Sequence, residues 1–148
     1  MPSRGQFDVR VLTSAEIGLA TELDVSEAGD TLYRQDGREL TTFHHAWARP
    51  SDTGDEMRHY VERWRWIVAQ GGAAFGAFDG PRLIGLAVLR LELEPGVAQL
   101  DGLYVDRRHR GAGLATTLNE AAEAVARERG ATSIYVSATP TTSAVGFY

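Results

Sequence analysis

A chain of 148 residues with 43% hydrophobic content can bury one core but hardly two, so a single domain over residues 1–148 is the expectation. A net charge of −5 argues against a nucleic-acid binder and mildly favours cationic ligands, while the absence of cysteine removes disulfides, thiolate catalysis and zinc–thiolate sites together. No apolar run reaches membrane-spanning length and the start Met1-Pro2-Ser3-Arg4-Gly5 lacks an apolar signal core, which points to the cytoplasm and to no membrane partner.

In chain order, Phe7 to Leu12 reads as a first strand, and Thr13 with Glu16 forms a capping box for a helix running to about Leu23. Thr31 to Gln35 and Arg38 to His45 read as a hairpin around Asp36-Gly37, because Asp-Gly supplies the positive φ angles of a two-residue turn. Arg49 to Asp55 is a polar loop with one proline. Met57, Tyr60, Val61, Trp64, Ile67 and Val68 recur at three- and four-residue intervals, predicting a helix that Gly71-Gly72 stops.

Two strands follow, Ala73 to Phe78 and Leu83 to Glu94, the second alternating Leu89, Leu91 and Leu93 with Arg90, Glu92 and Glu94. Pro95-Gly96 turns the chain into a strand from Ala98 to Val105. A last helix places Leu114, Leu118, Ala121, Ala122 and Val125 on one face and ends at Gly130, ahead of a strand from Ser133 to Ala138. This order predicts an α+β fold, a mixed and mostly antiparallel central sheet with helices on both faces.

The junction Asp106-Arg107-Arg108-His109-Arg110-Gly111-Ala112-Gly113-Leu114, between strand and helix, is a candidate phosphate cradle. A helix start offers backbone N–H groups without internal partners and a partial positive charge. Gly111 and Gly113 let the backbone curl and an anion approach closely, and Arg107, Arg108 and Arg110 add cationic forks. A mononucleotide P-loop is a weak reading, since it needs a Lys followed by Ser or Thr at the helix start and this chain has no lysine. A dinucleotide turn fits poorly, because Ala115 and Thr116 follow the two glycines where a third glycine is required.

The spacing R-x-x-G-x-G, met by Arg108, Gly111 and Gly113 directly after an apolar strand, resembles the pyrophosphate motif of the GNAT superfamily, the acyl-CoA-dependent N-acyltransferases. The resemblance covers the second half of the chain, from the hairpin before Ala98 through the motif, the helix and Ser133 to Ala138, to the closing Ala144-Val145-Gly146-Phe147-Tyr148. It implies acetyl-CoA as cosubstrate and transfer of an acetyl group to an amine; the lack of cysteine or another obvious nucleophile favours direct attack in a ternary complex, and no metal is expected. It also implies further strands after Tyr148. Their lack is read as residues omitted or cropped from the end, in preference to strand donation by a second copy in a homodimer.

Carried onto this sequence, the resemblance gives pyrophosphate to the backbone amides of His109, Arg110, Gly111, Ala112, Gly113 and Leu114, with Arg108 and Arg110 as side-chain partners. His109 is read as a turn residue contributing its amide, against a catalytic base. The main chain of Leu103, Tyr104 and Val105 would hold the pantetheine arm on a strand that bulges, and Gly102 within it marks a bulge or close backbone approach.

Many relatives have a glutamate where this chain has Gln99, and an amide takes no proton. Asp101, two residues on and on the same strand face, is the candidate base or else a structural carboxylate; Glu92 and Glu94 acting through water are lesser candidates. Tyr148 matches the tyrosine that protonates the departing thiolate, with Ala144 and Phe147 fitting the usual segment and Thr141 standing where asparagine is common; plain packing is the alternative.

In the resembled fold the region Asp24 to Trp66 shapes the amine pocket. Tyr33, Phe43, Trp47, Asp52, Asp55, Glu56 and Trp66 suit a small cationic amine or peptide substrate, and equally a core with a solvated rim. His44, His45 and His59 do not have the spacing of a metal site. The competing function is a non-catalytic acyl-CoA-binding or sensing domain.

Overall fold

The computed structural model describes residues 7–49, 55–137 and 148. Five strands form the central sheet: β1 (Asp8–Val11), β4 (Ala73–Asp79), β5 (Arg82–Glu94), β6 (Val97–Val105) and β7 (Ser133–Val136), side by side in that order. Neighbours are antiparallel except β6 and β7, which are parallel and joined through the helix α3 (Leu114–Glu128), as a parallel pair requires. Two further strands, β2 (Glu27–Asp36) and β3 (Glu39–Arg49), form a separate two-stranded sheet.

Each face of the central sheet buries one helix stripe. The helix α2 (Asp55–Ala69) sets Met57, Val61, Trp64 and Ile67 against Leu83, Leu86 and Val88. On the opposite face α3 sets Leu114, Leu118, Ala122 and Ala126 against Phe75, Ile84, Ala87, Leu89, Ala98 and Leu100. β5 lies between the two layers, so its residues 83–89 are all buried and read as an unbroken apolar run rather than an alternating one.

The first helix is shorter than the sequence predicts. α1 (Ser14–Ile17) passes at once into a 3-10 turn over Gly18–Glu22, so the expected helix to Leu23 exists as two tighter pieces. Its capping box is present: the Thr13 hydroxyl accepts from Glu16 N at 3.3 Å, and Thr13 N donates to the Glu16 carboxylate at 3.0 Å.

Arg10 grips the same Glu16 carboxylate at 2.5 and 3.0 Å, and this bond, with the Thr13 amide second, brings the carboxyl down to about 2. The folded value lies below the ordinary 4.5, so the stabilisation is full above pH 4.5 and is lost as pH falls toward 2. Glu16→Gln should therefore flatten that part of the acid-unfolding curve. Urea midpoints at pH 5 and pH 2.5 check this; an unchanged difference between them would remove Glu16 from the acid response.

The hairpin turn is displaced by one residue. Asp36 pairs with Glu39, leaving Gly37 and Arg38 as the loop, and of these only Gly37 has positive φ, at 62°. Glycine first in a two-residue loop is the demand of a type II′ turn, so one left-handed residue suffices. The strands also run further than predicted on both sides, with a bulge between Gly29 and Thr31. Arg49 closes β3 and Asp55 opens α2, so the polar loop expected between them falls on residues outside those described. β7 ends at Val136, short of the expected Ala138, which is itself outside the described residues.

Candidate functional site

The β6–β7 ladder runs from Val97↔Ser133 to Leu100↔Val136 and ends there, while β6 continues along β5 to Val105. Where the two strands part, the β5–β6 register slips: Val88 pairs with Gly102, but Leu89 pairs with Leu100. Asp101 is the extra residue of this bulge, one position before the glycine that the sequence singles out. Its geometry is visible in the side chains. Leu100, Leu103 and Val105 join the layer under α3. Asp101 instead reaches Trp64 on α2, and a Cβ on Gly102 would lie 2.9 Å from Trp64 Cζ2. Two consecutive residues thus face α2, which a flat strand forbids and a bulge permits.

The Asp101 carboxylate is nearly enclosed, with 8% of the side chain exposed. Arg63 forks onto it, with Nε 3.1 and 3.0 Å from Oδ1 and Oδ2 and Nη2 2.7 Å from Oδ1. The buried Trp64 donates Nε1–H to Oδ2 at 3.1 Å. In return the carboxylate holds the Arg63 guanidinium above its ordinary value. Gln99, on the same face as predicted, has its Oε1 buried without a hydrogen-bond partner among the described residues. Its neighbours across the ladders are Arg90 on β5 and the half-exposed Tyr135 on β7.

Beyond Val105 the chain turns through a short 3-10 segment, Arg107–His109, into the candidate cradle. Gly111 and Gly113 both take left-handed φ, 82° and 81°, and Gly113 is the N-cap of α3. Being glycine, Gly113 supplies no side-chain cap to that helix start, and the first turn contains no acidic residue. A Cβ on Gly111 would meet nothing within 4 Å, so the glycine answers to backbone conformation and open space, not to crowding. Leu114 is buried and anchors the first turn, while Ala112 is half-buried.

The arginines are already positioned. Arg108 Nε lies 3.3 Å from Asp106 with 59% of the side chain exposed. Arg110 donates Nη1–H to Ser26 O at 2.9 Å and Nε–H to Val105 O at 3.4 Å. His109 is wedged edge-on against Phe7, with Nε2 3.7 Å from Asp79 and Nδ1 3.7 Å from Asp106.

Under the cradle is a residue the sequence reading passed over. Asp106 is fully buried. Its Oδ2 accepts from Asp24 N at 3.0 Å and its Oδ1 from Arg108 N at 3.1 Å, while Arg82 approaches to 3.6 Å. Its backbone N donates to Ile84 O, and Arg107 N donates to Asp24 O, both at 2.8 Å. One carboxylate therefore ties the end of β6, the turn and the Asp24 segment together. An Asp directly before a basic turn that caps its own short helix was the available signal.

Tyr148 is half-exposed, and burial of the remainder pushes its phenol above the ordinary value. Thr141, Ala144 and Phe147 lie outside the described residues. Of the aromatic residues expected around an amine pocket, Tyr33, Phe43 and Trp47 are on the β2–β3 hairpin, and Trp66 is on α2 with the Arg90 guanidinium 5.7 Å above its ring; Asp52 is outside the described residues. A cavity of about 500 Å³ opens at the other end of β6 from the cradle, lined among others by Trp66, Gln70, Arg90, Glu92 and Arg129. Among the described residues no three of His, Cys, Asp or Glu converge as metal ligands, and no helix is long and apolar enough to cross a membrane.

A family model described as the acetyltransferase (GNAT) family matches residues 40–148. Among curated proteins the sequence has no match. Among solved structures it is similar to nourseothricin acetyltransferase, at 19% identity and a TM-score of 0.75 over 97% of this chain and 80% of that one. A Bacillus anthracis str. Ames protein described as a streptothricin acetyltransferase, solved with acetyl coenzyme A, is 20% identical with a TM-score of 0.73 over 96% and 80%. Ribosomal-protein-alanine N-acetyltransferase from Brucella melitensis biovar Abortus 2308 is 18% identical with a TM-score of 0.62 over 96% and 87%. At these identities the structural likenesses establish a shared fold.

Proposed function

Because this chain belongs to the GNAT acetyltransferase family, we propose that it moves the acetyl group of acetyl-CoA to a primary amine of a small molecule or peptide by direct attack. The observation that carries this is the corner where β6 leaves β7 and runs into two left-handed glycines at an uncapped helix start. The residues there fit a diphosphate: free first-turn donors, no first-turn carboxylate, and open space above Gly111. The β6 main chain from Leu103 to Val105, beyond the last β7 pair, is the edge along which a pantetheine arm would add as a strand.

In this reading Asp101, at the bulge, takes a proton from the acceptor ammonium, the neutral nitrogen attacks the thioester carbon, the C–S bond breaks, and Tyr148 protonates the thiolate. The nitrogen loses two protons in all, one released to solvent through Asp101 and one ending on the thiol by way of Tyr148. With no cysteine in the chain, direct transfer is favoured over a covalent enzyme intermediate. The surplus of acidic residues and the acceptor atoms of Asp101 and Gln99 favour a cationic amine. The reading is tested by coenzyme A thiol release with a panel of polyamines, aminoglycosides, amino acids and peptide N-termini.

The second reading is a non-catalytic acyl-CoA sensor. It is favoured by an amide at position 99 and by a carboxylate at Asp101 that already receives Arg63 and Trp64. Tight coenzyme A binding without amine-dependent thiol release across the panel would select it.

Tyr148→Phe separates chemistry from binding. A phenol held above its ordinary pKa of about 10 stays protonated through neutral pH and remains a donor. Its loss should lower kcat about 100-fold or more while leaving the KM for acetyl-CoA within a few-fold. Equal turnover by the variant would take Tyr148 out of the mechanism.

A further inference from the structure

The two donors on Asp101 differ in kind. Trp64 is fully buried, stacked against Tyr60 and tilted against Tyr104, so its N–H is a fixed, neutral partner. Arg63 lies on the solvent side of α2 with 44% of its side chain exposed, so its guanidinium is a charged partner at the mouth of the carboxylate. Two residues back on the same strand face, Gln99 offers a buried oxygen that no described residue meets. Both groups accept hydrogen bonds, and a site made of acceptors calls for a donor-rich, positively charged visitor.

We propose that Arg63 is a resident stand-in for the acceptor: the incoming ammonium displaces the guanidinium from Asp101 and takes Gln99 Oε1 as its second anchor. The inference rests on the reading that Asp101 faces the reacting amine. One cation replaces another at the same carboxylate, so the exchange leaves no buried charge unpaired, whereas a neutral nitrogen entering in place of Arg63 would. The acceptor class is therefore an alkylamine that arrives protonated, and an arylamine, neutral at the same pH, is excluded. Arg63 becomes a specificity-determining positioning residue rather than a reacting one.

A guanidinium with 44% of its side chain exposed is a weak competitor, yet one that is tethered and always present. The fraction of molecules with Asp101 open sets the apparent affinity for the amine. Arg63→Gln should lower the KM for an alkylamine about fivefold, and Arg63→Lys, which keeps a tethered cation, should fall between the variant and the original. Guanidinium chloride at millimolar concentration should become a competitive inhibitor against the amine in Arg63→Gln, because it refills the vacated position; in Arg63→Gln/Asp101→Asn, which lacks the proposed base, guanidinium binding followed by tryptophan fluorescence should vanish where Arg63→Gln shows it.

Coenzyme A affinity, followed by tryptophan fluorescence, confirms in each variant that the fold is retained, and the double variant supplies a form without an unpaired buried carboxylate. An unchanged or raised KM in Arg63→Gln, with no guanidinium competition, would overturn the stand-in role and leave Arg63 as a brace for Asp101. If the unaltered protein binds coenzyme A but releases no thiol with any amine, the transfer reading fails first and takes this inference with it. If it transfers acetyl groups while the KM in Arg63→Gln holds, only the inference fails.

Discussion

Gly111→Glu is expected to abolish coenzyme A binding, by about 100-fold or more, while the protein melts within a few degrees of the original. Gly111 is exposed at φ 82° and touches nothing that a side chain would displace. The cost to the fold is the left-handed backbone alone, about 1 kcal/mol. The cost to binding has two parts. A carboxylate is placed where a diphosphate would lie, and a residue that resists positive φ tilts the neighbouring amides away from the anion. Gly111→Ala isolates the second part and should retain measurable affinity. Titration calorimetry with coenzyme A reads both variants, and undiminished affinity in Gly111→Glu would show that the diphosphate lies elsewhere.

Asp106→Ala is expected to have the largest effect on stability, a loss of about 3–5 kcal/mol, because it leaves Arg82 and two backbone amides without their buried acceptor. For a chain of this length each kcal/mol corresponds to about 2–4 °C in Tm, so a fall of about 10 °C or more is the expected reading. Asp106→Asn retains an acceptor oxygen and should lose less, although its amide nitrogen turns a donor toward groups that already donate. Thermal melts and urea midpoints of the three proteins give the order. A loss below 1 kcal/mol in Asp106→Ala would mean that the turn is held by its backbone bonds and not by this carboxylate.

The parts legible in the sequence are those governed by local rules. The apolar stripe of α2, the box of Thr13 and Glu16, and the glycines of the cradle each follow from short spacings, and each is present. The placement of Gln99 and Asp101 on one face also follows from strand periodicity. Legibility ends where distant residues meet. The site of the bulge depends on how β5 registers against β6, and Arg63 reaches Asp101 across 38 positions of sequence, so no spacing announces either. The helical spacing predicts Trp64 as core, and it is buried there, while its N–H also donates to the carboxylate. The displaced hairpin turn has the opposite cause: both Asp36-Gly37 and Gly37-Arg38 satisfy local turn chemistry, and the register of the flanking strands selects between them.

Among the described residues the β2–β3 ribbon joins no larger sheet, and most of its residues face water. An isolated two-stranded unit is only marginally stable, so it can open and re-form while the five-stranded sheet stays closed. Amide protons along Glu27–Asp36 and Glu39–Arg49 should therefore exchange with deuterium well before those of β5. The corner proposed for a diphosphate is built on the five-stranded sheet and not on the ribbon, so sequence drift along the ribbon can proceed at little cost to that corner.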